Sequence, residues 1–257
     1  MINMLAKITE KTKERMSGKS LEEIKEKVAD LEINKDFPFE KALKDKPIAI
    51  ISEVKRASPS KGLIAEDFDY LTIAKEYESA GVSAISVLTE PFFFQGSNEI
   101  LKEISENVST PLLRKDFTIN LYMIYEAKLI GASAILLIVS ILDDSQLKEY
   151  LELADSLGLS AIVETHDKDE IERALNAGAR IIGVNNRNLK DFTVDINNSV
   201  NLRKNVPKDI IFISESGIKT PDDVKVLKEN DVDAVLIGET LMRSNDKATL
   251  IEELKNG

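Results

Sequence analysis

Residues 49–55 read AIISEVK: a short run of small and branched apolar residues that ends on Glu53 and Lys55. The same arrangement recurs along the chain. TPLLRKD (110–116) ends around Lys115, SAIVETH (160–166) around Glu164, and IIGVNNR (181–187) at Asn185 and Arg187. IIFISESG (210–217) ends at Glu215 and Ser216, and AVLIGE (234–239) at Gly238 and Glu239. A polar group at the tail of a buried strand costs free energy unless it is paired or used. Set at the same end of neighbouring strands, such groups converge on one polar site. In a barrel of alternating strands and helices, that site lies on the face formed by the C-terminal ends of the strands.

The spacing supports the barrel. Short apolar runs lie at 48–54, 84–88, 111–115, 134–139, 160–164, 180–184, 210–214 and 234–237. Their apolarity is continuous rather than alternating, as in parallel strands buried on both faces. Helical patterns fall between them, such as 70–81, 120–131 and 144–158. Several of these end on a glycine suited to a helix C-cap: Gly81, Gly131, Gly158 and Gly178. Asp167 with Glu170 has capping-box spacing, and Thr220 precedes Pro221 at a first helical position. Strand ends recur every 20–35 residues or so, about one βα unit. The fold class expected is therefore α/β, a (β/α)8 TIM barrel. An open doubly wound sheet would put a glycine-rich turn after its first strand, where this chain has VKRASPSKG.

Residues 1–257 are expected to form one domain, with 1–46 as an N-terminal helical extension and 47–257 as the barrel. The extension carries helical patterns near 2–16 and 20–31, and Ser20 with Glu23 has capping-box spacing. Periodicity leaves two readings open: a plug at the barrel's N-terminal end, or a cover over its C-terminal end.

Composition narrows the chemistry. A net charge of −11 argues against a general nucleic-acid binder. The absence of cysteine excludes disulfides, thiolate metal sites and cysteine nucleophiles. A single histidine, His166, rules out histidine-rich metal sites. No signal-peptide core or membrane-length apolar stretch is present, so the expected location is cytoplasmic, with no membrane partner. The pairs Asp143-Asp144 and Asp222-Asp223 fall at expected helix starts and read as caps rather than metal ligands.

The strand ends hold the candidates. Glu53 and Lys55, two apart on a strand, share a face and would form an ion pair. Lys115, near other cations and partly desolvated, would have a lowered pKa, fit for an acid or a Schiff-base nucleophile. Arg114 and Asp116 would point the other way, toward the helices. Glu164, buried, would have a raised pKa and could shuttle protons. His166 reads as a loop or supporting residue. Asn185 and Arg187 would share a face and hold an anionic substrate. Ser58 lies in a donor-rich loop, and Ser216, Gly217, Gly238 and Glu239 stand where barrels commonly bind phosphate. A class I aldolase and a non-catalytic phosphometabolite sensor would fit parts of this set.

Taken in order, IISEVKRASPSKG, ISVLTE with FFQGS, LLRKDF, VETHD, IGVNNRNL, SESGI and LIGETLM resemble the indole-3-glycerol phosphate synthase family over nearly the whole chain. The resemblance implies the barrel with an N-terminal extension near the substrate, which favours the cover. It implies ring closure of 1-(2-carboxyphenylamino)-1-deoxyribulose 5-phosphate, with loss of carbon dioxide and water, to give indole-3-glycerol phosphate in tryptophan biosynthesis. No cofactor and no metal are implied, and the one partner is a small phosphorylated substrate. The chain would be a monomer, associating weakly if at all with other tryptophan-pathway enzymes. By resemblance, Lys115 is the general acid of ring closure, Glu164 the proton shuttle of dehydration, and Lys55 an assisting lysine that meets anionic groups. Glu53 orients the lysines. Asn185 and Arg187 hold the reacting end, and Ser58 holds the anthranilate carboxylate. Glu215 is a supporting acid, and Ser216, Gly217, Gly238 and Glu239 form the phosphate cradle. Glu90, Thr165 and Glu239 stand where aspartate, valine and serine are common in the family. An ionised Glu239 side chain cannot donate to phosphate, so only its backbone N–H is credited.

Overall fold

Eight parallel strands close on themselves in the computed structural model, which describes residues 4–44, 46–188 and 192–257. They are β1 (Ala49–Val54), β2 (Ala84–Leu88), β3 (Leu112–Lys115), β4 (Ala134–Ile138), β5 (Ser160–Thr165), β6 (Ile181–Asn185), β7 (Ile211–Glu215) and β8 (Ala234–Ile237). Each pairs with the next in the chain, and β8 returns to β1 in the register Ala49–Ala234 through Ser52–Ile237. The expected strands are all present, with ends shifted by no more than a residue or so.

The continuous apolar runs have a simple cause. Alternate residues face opposite sides of the sheet, and both sides are buried. Ala49, Ile51, Leu113, Leu136, Ile162, Ile181 and Ile213 fill the barrel. Ile50, Val54, Ile85, Ile135, Val163, Ile182 and Phe212 pack outward under the helices. Three helices precede the barrel: α1 (Met4–Met16), α2 (Leu21–Ala29) and α3 (Pro38–Lys44). Then come α4 (Tyr70–Ser79), α5 (Asn98–Ser105), α6 (Leu121–Leu129), α7 (Asp144–Ser156), α8 (Lys168–Asn176), α9 (Asn197–Arg203) and α10 (Pro221–Glu229). After β8, α11 (Glu239–Met242) and α12 (Lys247–Lys255) complete the ring. Side-chain caps start them where expected. Ser20, Asp143 and Thr220 each accept from the backbone N–H three residues on. Asp167 caps α8 likewise, but Glu170 reaches past the cap to the N–H of His166 at 2.7 Å. Among the described residues no helix is long and apolar enough to cross a membrane.

The extension closes both ends of the barrel. α1 lies across the strands' C-terminal ends, with Met4, Leu5 and Ile8 lining the cavity there. Arg15 at its end forks onto Asp116, just after β3, at 2.9 and 3.0 Å. The plug is α3, whose fully buried Phe39 and Leu43 join the inner core at the strand starts, beside Ala49, Ala84 and Ala234. The two expected patterns correspond to α1 and α2. Residues 2 and 3, where the first was expected to begin, lie outside the described residues. α3 escapes periodicity because seven residues make under two turns.

The two ends should respond differently to change. Phe39→Ala leaves a cavity under the barrel and should cost about 3–5 kcal/mol of stability in urea unfolding. Deleting residues 1–31, which spares α3, should leave a folded barrel with weakened substrate binding. A Phe39→Ala protein as stable as wild type would rule out the plug.

Candidate active site

A cavity of about 710 Å³ opens at the strands' C-terminal ends under α1. Every site residue expected from the sequence lines it: Glu53, Lys55, Ser58, Lys115, Glu164, Asn185, Arg187, Glu215, Ser216, Gly217, Gly238 and Glu239. The strands do this by register. Lys115, Glu164, Asn185 and Glu215 are inward residues at the last turn of the pleat on β3, β5, β6 and β7, with Asn185 level with Glu215.

At the centre, Lys115 Nζ donates to Glu215 Oε2 at 2.8 Å and to Glu164 Oε2 at 3.0 Å. Asn185 Nδ2 donates to the other oxygen of Glu164 at 3.2 Å. Lys55 Nζ sits 2.5 Å from Glu53 Oε1, the expected ion pair. Two glycines, Gly183 in β6 and Gly238 just after β8, make room for this cluster. A Cβ on Gly183 would run into Glu215 Oε1, and one on Gly238 would meet Glu53 and, at 2.7 Å, Lys55 Nζ. An isolated glycine inside a strand often marks such a close approach. That was the available signal for Gly183, which the sequence reading passed over.

The electrostatics correct two expectations. Lys115 has carboxylates for neighbours, not cations. Burial opposes its charge, but Glu215, Glu164 and Glu53 outweigh burial and hold the ammonium above the ordinary lysine range, not below it. Glu164 is buried, which by itself would raise its pKa. Lys115 and then His166 more than offset that and hold it below the usual carboxylate range. The raised carboxyl is Glu215. Burial pushes it up, Lys115 only partly compensates, and the charges of Glu164 and Glu53 add to the rise. Its Oε1 is buried with no hydrogen-bond partner among the described residues.

His166 lies just behind Glu164. Its Nδ1 is 3.1 Å from Glu170 Oε2, and its Nε2 is 3.7 Å from Glu164 Oε1. Burial disfavours the imidazolium, but Glu170 and Glu164 overcome this and raise its pKa. His166 thus stands behind Glu164, with both carboxylates favouring its protonated form. Arg114 points outward, as expected, whereas Asp116 borders the cavity and bonds Arg15 of α1. Arg114, 1% exposed, is held by Glu126 at 2.6 Å and by Met123 O, Asn98 and Thr89.

At the rim, Ser58 and Gly62 pair in a short hairpin (Ala57–Ser58 with Gly62–Leu63) that follows β1, where the sequence suggested only a loop. Arg187 is anchored by its own N–H on Asn185 Oδ1 at 3.0 Å and directs its guanidinium to Phe192 O at 3.4 Å. Leu189, at the end of the motif around it, lies outside the described residues. Ser216 and Gly217 both have left-handed backbone, φ 69° and 90°. Gly238 precedes α11, and the carboxylate of Glu239 beside it is taken up by Arg243 at 3.2 Å and Lys61 at 3.5 Å. The sequence reading missed the aromatic wall. Phe94 and Phe117 line the cavity with ring centroids 6.1 Å apart. Their signal was present in FFQGS and RKDF, but isolated phenylalanines read equally well as core.

The family model described as indole-3-glycerol phosphate synthase matches residues 2–254. The chain belongs to the indole-3-glycerol phosphate synthase family. It is accordingly a carboxy-lyase of tryptophan biosynthesis. An indole-3-glycerol phosphate synthase of Leuconostoc mesenteroides is 56% identical over 243 residues, covering 94% of this chain and 93% of the relative. One from Ruminiclostridium cellulolyticum is 54% identical over 98% of each chain. Among solved structures, a 3-hexulose-6-phosphate synthase superposes with a TM-score of 0.65 at 14% identity, covering 81% of this chain and 99% of that one. At that identity the likeness concerns the barrel alone.

The pH dependence of stability follows from Glu215. Its pKa is raised on folding, so the fold favours the neutral form. Stability from that source is full below the ordinary glutamate pKa of about 4.3 and declines as pH rises through the raised value. Glu215→Gln cannot titrate. Its stability relative to wild type should therefore improve as pH rises above about 4.3, as read by urea unfolding at each pH. A constant difference would contradict the raised pKa.

Proposed function

We propose that this cavity closes the ring of 1-(2-carboxyphenylamino)-1-deoxyribulose 5-phosphate and releases carbon dioxide, water and indole-3-glycerol phosphate. The observation that carries the residue roles is the Lys115 ammonium held between Glu164 and Glu215. Ring closure joins the carboxyl-bearing ring carbon to the ketone carbon and places negative charge on the ketone oxygen. A preorganised ammonium stabilises that charge and protonates it. The C–CO2 bond then breaks, and its electrons restore the aromatic ring. In the last step the hydroxyl leaves with a proton as water, and a C–H proton is lost to a base. Glu164 is held ionised, which suits the base, and it sits 3.0 Å from Lys115, so protons can pass between them. Lys55, paired with Glu53, assists the acid steps. Lys115 as a Schiff-base nucleophile would need its neutral amine. Carboxylates on both sides favour the ammonium, and so the acid over the aldolase reading.

The rim divides by chemistry. Ser216, Gly217, Gly238 and the N–H of Glu239 cradle the phosphate, while Asn185 and Arg187 hold the substrate near its reacting end. Ser58 meets the carboxylate, and Phe94 and Phe117 receive the phenyl ring. Residues 1–257 act as one domain, with 1–46 as the extension and 47–257 as the barrel. The enzyme works as a cytoplasmic monomer, with at most weak association with other tryptophan-pathway enzymes. Sedimentation at working concentration tests the monomer.

Lys115→Ala should lower kcat by at least ~10²-fold, the usual cost of a lost general acid, in a protein that remains folded. Near-wild-type turnover would remove Lys115 from the mechanism. Glu164→Gln should block a different step. Rapid-quench single turnover should show a ring-closed intermediate with Glu164→Gln and unreacted substrate with Lys115→Ala. The opposite pattern would reverse the two assignments. At the phosphate end, Gly238→Asp should raise KM sharply and abolish competition by inorganic phosphate. Competition that survives this change would move the phosphate site elsewhere.

A further inference from the structure

Glu90 is fully buried, and among the described residues no lysine, arginine or histidine pairs with it. A buried carboxylate is costly unless its charge is met by other donors. Here the donors are successive backbone N–H groups of the loop that follows β2. Glu90 Oε1 accepts from Phe92 at 3.0 Å, and Oε2 accepts from Phe93 at 2.7 Å and Phe94 at 3.1 Å. The loop then folds back on the same residue: Gly96 N–H donates to Glu90 O at 2.9 Å. Gln95 takes a positive φ of 54° to make that turn, and a side chain on Gly96 would run into the carbonyl of Leu88. The loop is thus wound around one carboxylate.

Phe94 is the last of the three donors and the one whose ring reaches the cavity. Its ring leans against Phe117 at an interplanar angle of 37°. Phe117 is set the same way from the other side, its N–H donating to Asp116 Oδ1 at 2.8 Å. A buried carboxylate therefore fixes the backbone under each ring of the aromatic wall. Asp116 is tied to Arg15 and α1, whereas Glu90 answers only to its own loop.

We propose that Glu90 is a positioning residue for the aromatic end of the substrate, acting through Phe94. The proposal rests on the reading that the substrate's phenyl ring lies against Phe94. Glu90 touches neither the acid–base cluster nor the phosphate cradle, so its effect should be confined to one end of the substrate. Glutamine in its place offers one oxygen and one N–H2 group, and the latter would face backbone N–H donors instead of accepting from them. Aspartate keeps the charge but is one methylene shorter.

The test compares Glu90→Gln, Glu90→Asp and Phe94→Ala by steady-state kinetics, by competition with inorganic phosphate, and by amide hydrogen exchange at residues 92–94. Hydrogen bonds to a charged group are commonly worth enough that losing one shifts an equilibrium by about tenfold. Glu90→Gln should therefore raise KM about tenfold, with kcat within about twofold of wild type and an unchanged inhibition constant for phosphate. Exchange at residues 92–94 should quicken. Glu90→Asp should fall between wild type and Glu90→Gln, and Phe94→Ala should raise KM at least as much as Glu90→Gln. Wild-type KM in Glu90→Gln beside a raised KM in Phe94→Ala would overturn the role of Glu90 and leave the aromatic wall standing. No change in Phe94→Ala would overturn both. Equal losses of kcat and phosphate affinity in Glu90→Gln would mean that Glu90 supports the barrel as a whole, and would also overturn the proposal.

Discussion

The interaction on which this site depends is the bond of one ammonium to two carboxylates. Lys115 donates to Glu164 and Glu215 within 3.0 Å of each. Its neighbours explain why the two carboxyls titrate in opposite directions although both are buried. Glu164 has Lys115, Asn185 and the imidazole of His166 around it. Among the described residues Glu215 has only Lys115 as a hydrogen-bond partner, and its second oxygen lies over Gly183 without one. Groups that share one environment yet are pushed apart in pKa are the usual arrangement for separate acid and base tasks. The barrel supplies this by bringing the ends of β3, β5 and β7 to one face.

Holding such a cluster requires the two ends of the barrel to be treated differently. The bottom is filled with apolar side chains and sealed by Phe39 and Leu43 of α3. The top is left hollow, with Met4, Leu5 and Ile8 of α1 along its wall. Arg15 Nη2, donating to both oxygens of Asp116, fastens the cover to the residue after Lys115, so cover and cluster share one short stretch of backbone. Outside the wall, Arg114 makes the same stretch rigid through four further partners.

In the aromatic wall Glu90 orders its loop with no counter-ion among the described residues, whereas Asp116 is paired with Arg15. Glu90 and Asp116 each spend hydrogen-bonding capacity on backbone N–H groups beneath a phenylalanine. Glu90 is not among the residues that line the cavity. This separates the polar machinery at the strand ends from the apolar surface beside it, and a substrate with an aromatic end and a phosphate end needs both.

Much of this protein was legible in its sequence. Continuous apolar runs at regular intervals, six of the eight with a polar tail, define a two-sided parallel sheet and the face its chemistry occupies, because strand alternation is local and strict. Glu53 with Lys55 and Asn185 with Arg187 could be paired by counting residues. Tertiary structure alone decided the rest. The sign of the shift at Lys115 depends on Glu164 and Glu215, which lie 49 and 100 residues further along the chain. No local pattern could reveal that its neighbours are anionic. The plug was hidden because α3 is too short to show a period, and its role exists only where the strand starts converge. Gly183 is an ordinary strand glycine until Glu215 folds over it. Residue type and spacing determine which groups reach the site; the closure of the barrel determines which of them touch, and so what charge each one carries.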